Sequence, residues 1–120
     1  MFNGILFDGE DLSNPLSSLE ALELQLIPAE FALNNNYPNP FNPSTTITYD
    51  LADGSDVRLE IYNIMGQLVN TLVSEQQAAG RYRVVWNGQD AGHRQVSSGV
   101  YFYRLQTVGF QAVKKLMFLK

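Results

Sequence analysis

The sequence predicts an all-β domain: six or seven strands over residues 45–120, arranged as two packed antiparallel sheets. Proline is absent after Pro43, so the strands of this region meet no obstacle to backbone pairing. Glycines recur at intervals of 8–14 residues, which suits strands separated by turns. The segments between them are rich in β-branched and aromatic residues. These glycines are Gly54, Gly66, Gly80, Gly88, Gly99 and Gly109.

Alternation within the segments predicts which side chains form the core. In VRLEIY, Arg58 and Glu60 are expected to face water, and in VYFYRL Arg104 is expected to point outward. In RYRVVW the arginines stand opposite Trp86, which predicts that this tryptophan is buried. The inward set is Val57, Leu59, Ile61, Tyr82, Val84, Trp86, Tyr101, Tyr103 and Leu105.

The last segment, QAVKKLMFLK, carries two adjacent lysines. Neighbouring strand residues point to opposite faces, so either Lys114 or Lys115 must lie on the core side or at a rim. Turns are predicted at Asp53-Gly54, Met65-Gly66 and Asn87-Gly88.

Residues 31–44 form a junction with three X-Pro bonds, at Pro38, Pro40 and Pro43. Each proline biases the preceding residue away from helix, and the asparagines favour local turns. We expect a stiff entry loop that Leu33, Tyr37 and Phe41 pin onto the core.

Residues 1–30 form an N-terminal arm or linker with strand-like pieces. The arm begins with a short apolar segment containing Phe2, Ile5 and Phe7. Farther along, leucines at helical spacing follow Pro15, but the alternation of Leu22, Leu24 and Leu26 with polar residues favours an extended strand over 21–27.

Composition excludes several classes of function. The net charge is −4, and an acidic balance argues against a nucleic-acid partner. The absence of cysteine removes disulfides, thiolate nucleophiles and cysteine-ligated metals. No apolar run is long enough to span a membrane, and MFNGILFDGEDL lacks the basic start of a secretory leader.

No residue pattern predicts catalysis or a cofactor. Asp50, Asp53 and Asp56 are weak candidates for calcium, but their spacing does not match an EF-hand, and a polar hairpin tip explains them better. The single histidine, His93, lies in a polar loop and is expected to be solvated. The sequence therefore predicts a protein that is not an enzyme.

The aromatic residues permit a second interpretation. They could form a sugar-stacking platform, although alternation on strands favours core packing, with Tyr62 the one most exposed. The residues concerned are Tyr62, Tyr82, Trp86, Tyr101 and Tyr103.

Four segments in order resemble a known family: YPNPFNP, IYNIMGQ, GRYRVVWNG and SSGVYFY, with KKLMFLK at the end. Over residues 31–120 the chain resembles the type IX secretion C-terminal sorting domain, which is related to the immunoglobulin-like domain of flagellar hook-capping proteins. The resemblance implies an immunoglobulin-like sandwich with an extended N-terminal arm at the end of a larger exported protein.

The resemblance also implies a function and partners. The domain would be an address read by the outer-membrane secretion and attachment machinery, normally cut off as the cargo is joined to surface lipopolysaccharide. Lys114, Lys115 and Lys120 would correspond to the family's essential C-terminal end.

One alternative remains open at this point. The arm could donate a strand to a neighbouring copy and build an extracellular filament by self-association. The strand-donor candidates are Phe2, Ile5, Phe7, Leu22, Leu24 and Leu26.

Overall fold

A computed structural model describes residues 27–120, which fold into seven strands without a helix. The strands are β1 (Ala32–Leu33), β2 (Thr45–Leu51), β3 (Ser55–Asn63), β4 (Leu68–Gln77), β5 (Gly80–Trp86), β6 (Gly99–Gln106) and β7 (Gln111–Phe118). The prediction of an all-β sandwich with about seven strands is confirmed. The arm up to residue 26 lies outside the described residues.

Two antiparallel sheets form the sandwich. One has three strands in the order β1-β2-β5, and the other has four in the order β4-β3-β6-β7. The chain changes sheet between β2 and β3, between β4 and β5 and between β5 and β6, so both layers contain strands from separate parts of the sequence, as in an immunoglobulin-like sandwich. Register shifts after Leu59 and after Ile61 mark bulges where β3 pairs with β4.

The core lies between the inner faces of the sheets. Alternation dictates its membership: Ile47, Tyr49 and Leu51 from β2 meet the inward residues of β3, β6 and β7. The predicted inward residues are confirmed for β3 and β6, while Tyr82 and Val84 are partly buried and pack against the core. Trp86 is fully buried, as the sequence predicts.

The junction forms a short strand before its first proline and so becomes part of the three-stranded sheet. Ala32 and Leu33 form β1 against the end of β2, and Leu33 and Phe41 are buried. The expectation that Tyr37 pins the loop through its side chain is wrong, because that side chain is 80% exposed. Its backbone pairs with Thr46 instead, with N–O distances of 3.0 and 2.9 Å.

Hydrogen bonds of the buried side chain of Asn36 close this loop. Its amide donates to Thr45 Oγ1 at 3.0 Å, and the Thr45 hydroxyl donates to the Pro38 carbonyl at 2.8 Å. Because both side chains are buried, losing either partner would strand a polar group away from water. The Asn-rich junction is therefore a built part of the fold.

Candidate recognition site around the C-terminal strand

The last strand, β7, is held on both of its sides. Along one side it pairs with β6 over its whole length, from Gly99 opposite Phe118 to Gln106 opposite Gln111. Along the other side the junction covers its final residues: Phe41 N donates to Met117 O at 3.0 Å, and Leu119 N donates to Phe41 O at 3.1 Å. The Asn39 side chain accepts a further bond from Met117 N at 3.0 Å. The proline-rich junction thus clamps the end of the chain.

An aromatic cluster anchors the same end of β7. The Phe118 ring packs on Phe41 and Trp86, with ring centroids 4.9 and 6.5 Å apart. Trp86 also contacts Phe41 and Tyr101, and its indole N–H donates to the Gln89 carbonyl at 2.9 Å. Burying four aromatic rings together makes this cluster a major contributor to the core.

The ring of Phe118 packs so closely on Gly88 that this position has no room for a side chain. Gly88 has φ +75°, and a Cβ at this position would lie 3.0 Å from Phe118 Cζ and 2.7 Å from Gln95 Nε2. Both the backbone conformation and the close approach therefore require glycine. The Asn87-Gly88 turn that the sequence predicts also seats the terminal strand.

The three predicted recognition lysines do not form one cluster on a single face. Lys114 lies opposite Tyr103 on the inward side of β7 and is half-buried at the rim, whereas Lys115 is exposed on the outward side opposite Phe102. Lys120 is exposed beyond the strand, and its backbone N–H donates to Ser98 Oγ at 2.9 Å. The structure leaves all three ammonium groups at or near the surface around one strand.

The outward side of the four-stranded sheet carries an apolar surface around one ion pair. We call the surface formed by Tyr62, Leu68, Phe102, Arg104, Val113 and Lys115 the outer face. Cross-strand register places Leu68, Tyr62, Phe102 and Lys115 in one row, with Arg104 opposite Val113 in a second row. Leu68 is 55% and Val113 53% exposed, although both are large apolar side chains.

Glu60 lies beneath this surface, so the expectation that it faces water is wrong. It points outward, as alternation requires, but Tyr62 and Arg104 cover it. Arg104 Nη2 donates to the Glu60 carboxylate at 2.9 Å and to the Tyr62 hydroxyl at 2.7 Å, and the Tyr62 hydroxyl donates to Glu60 at 2.7 Å. The guanidinium also lies 5.2 Å from the centre of the Tyr62 ring.

This network sets the protonation of its members. Burial opposes ionisation of Glu60, but hydrogen bonds from Tyr62 and Arg104, together with nearby guanidinium charge, hold the pKa of Glu60 below its usual value. Burial and the bond to that carboxylate raise the pKa of Tyr62. The Glu60–Arg104 ion pair therefore stays charged at neutral pH, with Glu60 covered and Arg104 at the surface.

The β3–β4 turn at one end of the outer face presents two large apolar side chains. Ile64 is 71% and Met65 79% exposed. The Asn63 carboxamide oxygen accepts the backbone N–H groups of Met65 and Gln67, each at 2.9 Å, and Gly66 has φ +80°. The turn is thus preorganised by its own side chain.

The predicted calcium candidates are not assembled into a site. Asp50 lies opposite Arg81 in the β2–β5 pair, and the Asp53 carboxylate accepts its bond from Gly54 N at 2.9 Å within the turn. Asp56 is exposed at the start of β3. Within residues 27–120 no group of three or more His, Cys, Asp or Glu side chains is placed to hold a metal ion.

The loop that contains His93 is a surface turn. His93 is exposed with φ 65°, and the Asp90 carboxylate holds the turn by accepting N–H groups of Gly92 and Arg94 at 2.9 and 3.0 Å. These bonds lower the pKa of Asp90. A solvated His93 is what the sequence predicts.

The aromatic residues do not form a platform. Of the five proposed for sugar stacking, Trp86, Tyr101 and Tyr103 are buried in the core, and Tyr82 stacks on Tyr49 at 5.3 Å. Tyr62 alone of these five lies on the outer face. The strand-donor candidates Phe2, Ile5, Phe7, Leu22, Leu24 and Leu26 lie outside the described residues. In the part that is described, no helix has the length and apolar character needed to cross a bilayer.

Three features escaped the sequence analysis: the roles of Asn36 and Asn39, the Glu60–Tyr62–Arg104 network and the clamp on β7. The network had a signal in the sequence. Glu60, Tyr62 and Arg104 occupy outward positions of two central strands, where cross-strand pairs of opposite charge are common. Asn39 had no such signal, because its partner Met117 lies 78 positions along the chain.

Two packed antiparallel sheets around a buried tryptophan are typical of an immunoglobulin-like sandwich. The model of the FlgD Ig-like domain matches residues 39–109, more than half of the chain, and the chain therefore belongs to this family. No curated protein sequence matches the chain.

Solved structures of PorU, PorZ and FlgD share this fold. Dimeric latent PorU from Porphyromonas gingivalis is 22% identical, with a TM-score of 0.60 over 72% of this chain and 9% of its own. PorZ, described as an essential bacterial surface component of the type-IX secretion system of P. gingivalis, is 21% identical, with a TM-score of 0.51 over 86% of this chain and 13% of its own.

Two of these structures are of FlgD. FlgD from P. aeruginosa is 27% identical, with a TM-score of 0.50 over 62% of this chain and 57% of its own. FlgD from Xanthomonas campestris, described in connection with hook capping, is 22% identical, with a TM-score of 0.52 over 72% of this chain and 64% of its own. The chain thus spans less than two thirds of each of these proteins, and a small fraction of PorU and PorZ.

Proposed function

We propose that this immunoglobulin-like domain is a non-catalytic sorting module that directs an exported protein through the type IX secretion system to the cell surface. The observation that carries the proposal is the clamp on β7. The junction segment YPNPFNP, which carries the resemblance to sorting domains, contacts the terminal strand directly through Asn39 and Phe41. Two motifs more than seventy residues apart thus form one site.

The chemistry of that site suits recognition rather than catalysis. It offers backbone groups, apolar side chains and lysines on a rigid edge. In the outer-membrane machinery, an acidic partner would contact Lys114, Lys115 and Lys120 as cationic groups distributed around the terminal strand. Long-range attraction between such groups and an acidic partner speeds association and is weakened by salt.

The similarity to PorU and PorZ adds support at the level of fold. PorZ is described as a component of the type-IX secretion system that the sequence resemblance implies, whereas FlgD from Xanthomonas campestris is described in connection with hook capping and flagellar assembly. The terminal KKLMFLK segment, which lies beyond the part matched by the FlgD model, supports the sorting role only through its resemblance to the end of sorting domains.

The test is a reporter with a secretory leader fused ahead of residue 1, expressed in a host with a type IX system. We expect surface display from the wild-type fusion and loss of display after substitution of Lys114, Lys115 and Lys120 by Gln. Circular dichroism of the isolated variant must show an intact sandwich. Undiminished display from the triple variant would refute the role of the lysines, and no display from the wild-type fusion would refute the sorting role.

A second candidate function is a subunit of an extracellular assembly built by strand donation. The observation in its favour is that β4 and β5, at the edges of the two sheets, each pair with one neighbour only among residues 27–120. An edge strand is a template for a strand from another chain. Sedimentation of the full chain tests this: filaments would support the subunit, and a monomer at all concentrations would exclude it.

A further inference from the structure

We propose that the outer face is the docking site for the acidic N-terminal segment of the same chain, residues 1–26. This inference goes beyond the sorting role and does not depend on it. It starts from the surface itself, where large apolar side chains are exposed around the Glu60–Arg104 pair. A row of cross-strand neighbours, Leu68, Tyr62 and Phe102, continues to Lys115.

The outer face has an apolar hollow and a polar group beside it, the two features of a peptide-binding surface. A hollow of about 260 Å³ is lined by Tyr62, Ile64, Phe102, Arg104 and Val113, among others. Its walls are aromatic and aliphatic, and Arg104 supplies a polar group at its edge. Apolar side chains that enter such a hollow lose contact with water on both partners.

Charge decides which segment fits. Lys115 and Arg58 are exposed on this side of the sheet and form no ion pair within residues 27–120, whereas Arg104 is neutralised by Glu60. One exposed acid, Asp56, lies at the far end of β3. An acidic segment with apolar side chains complements this surface better than a neutral or basic one.

The sequence of residues 1–26 has this composition. It contains five acidic residues and no basic residue, while residues 27–120 carry eight basic and seven acidic residues. It also contains ten leucine, isoleucine and phenylalanine residues, whose exposure to water is unfavourable. Both the segment and the outer face therefore gain by burying apolar surface against each other.

The entry point of the chain places this segment within reach. Phe31 stacks on Phe110 at a ring distance of 5.7 Å, and Phe110 lies in the turn between β6 and β7. The described chain thus begins beside one end of the sheet that bears the outer face. A strand as long as β7 spans about 27 Å, and 26 residues can extend about 85 Å. Attachment to the same chain also gives a high effective concentration.

A spin label tests the proposal directly, because the chain contains no cysteine and one introduced residue is labelled uniquely. We would introduce Ser18→Cys into the full chain, attach a nitroxide to the new cysteine and record the backbone amide resonances by NMR. The expected result is broadening at Phe102, Val113 and Lys115, with little at Thr48 and Arg83 on the outward side of the other sheet. Broadening that favours the other sheet, or is equal on both, would overturn the proposal.

Two aspartate variants provide a matched comparison. Val113→Asp changes the outer face, and Val85→Asp changes the outward side of the other sheet, where Val85 is 58% exposed against 53% for Val113. The broadening should disappear in the first variant and persist in the second. Equal effects of the two would contradict the proposal. Lys115→Glu, at an exposed position, should also reduce the broadening, and an unchanged spectrum in that variant would contradict the charge argument.

Dilution identifies the occupant. Broadening that is independent of protein concentration, measured with labelled and unlabelled chains mixed, supports docking within one chain. Broadening of an unlabelled, isotope-enriched chain by a labelled partner would show that a second copy occupies the outer face, and would overturn the assignment to the same chain.

Discussion

Replacing Trp86 by Ala tests the packing that joins the two sheets to the terminal strand. Trp86 is 1% exposed and contacts Phe41, Tyr101 and Phe118. Truncation removes the ring contacts, leaves a cavity between the layers and removes one of the two donors to the Gln89 carbonyl, the other being the Asn70 side chain. We expect a loss of about 3–5 kcal/mol in the free energy of unfolding, the usual range for a buried aromatic residue.

Urea denaturation of the full chain measures this loss. Trp86 is the single tryptophan, so the transition should be followed by circular dichroism rather than fluorescence. If the free energy of unfolding falls by ~1.5 kcal/mol per M of urea, a loss of this size lowers the urea midpoint by about 2 M or more. The change is a large part of the stability of a small domain, which is about 5–15 kcal/mol.

Two controls separate packing from other causes. Trp86→Phe keeps most of the ring but loses the N–H donor, and should cost about 1–2 kcal/mol. Val85→Ala changes the exposed neighbour on the same strand and should cost less than ~1 kcal/mol. A loss below ~1 kcal/mol for Trp86→Ala would refute the account of the core.

Three further predictions concern other parts of the fold. Gly88→Ala should destabilise the domain by about 1–3 kcal/mol, because it combines a positive φ with overpacking against Phe118, and a neutral effect in urea melts would contradict this. Arg104→Met leaves Glu60 covered without its cation and should cost about 1–3 kcal/mol in the free energy of unfolding at pH 7. Because the folded pKa of Glu60 is lowered, the ion pair stabilises the wild type above the unfolded pKa, and this stabilisation is lost as pH falls through the folded pKa. The difference between variant and wild type should therefore shrink in acid, and a pH-independent difference would refute the charge assignment. Burial raises the pKa of Tyr49 and of Tyr103 to about 12. Their contribution to the free energy of unfolding is therefore complete below about pH 10 and falls as pH rises toward 12. Spectrophotometric titration should show at least two tyrosines ionising late, and normal ionisation of all tyrosines in the folded protein would contradict this.

The strand pattern was predictable because alternation and burial agree along the chain. Val57, Leu59 and Ile61 alternate with charged residues, which assigns them to the inner face of the sheet. The arginines of the RYRVVW segment likewise assign Trp86 to the core. Local chemistry also determined the turns at Gly54, Gly66 and Gly88. In such segments, neighbouring residues alone specify the structure.

The candidate site was harder to predict because its parts are distant in sequence. The bond from Met117 N to Asn39 joins residues 78 positions apart, and no local pattern marks either partner. Glu60 shows a second cause: alternation gives the face on which a side chain lies, but not whether neighbours then cover it. Tyr37 shows the converse, since a large aromatic residue in an entry loop can be held by its backbone alone.

The most direct measurement of the proposed sorting role is the location of one fusion in two hosts. A reporter with a leader and this chain at its C-terminal end would be expressed in a strain with a functional type IX system and in a matched strain without its outer-membrane translocation component. The account predicts reporter on the surface of the first strain and retention inside the outer membrane of the second. Surface display in both strains, or in neither, would contradict it.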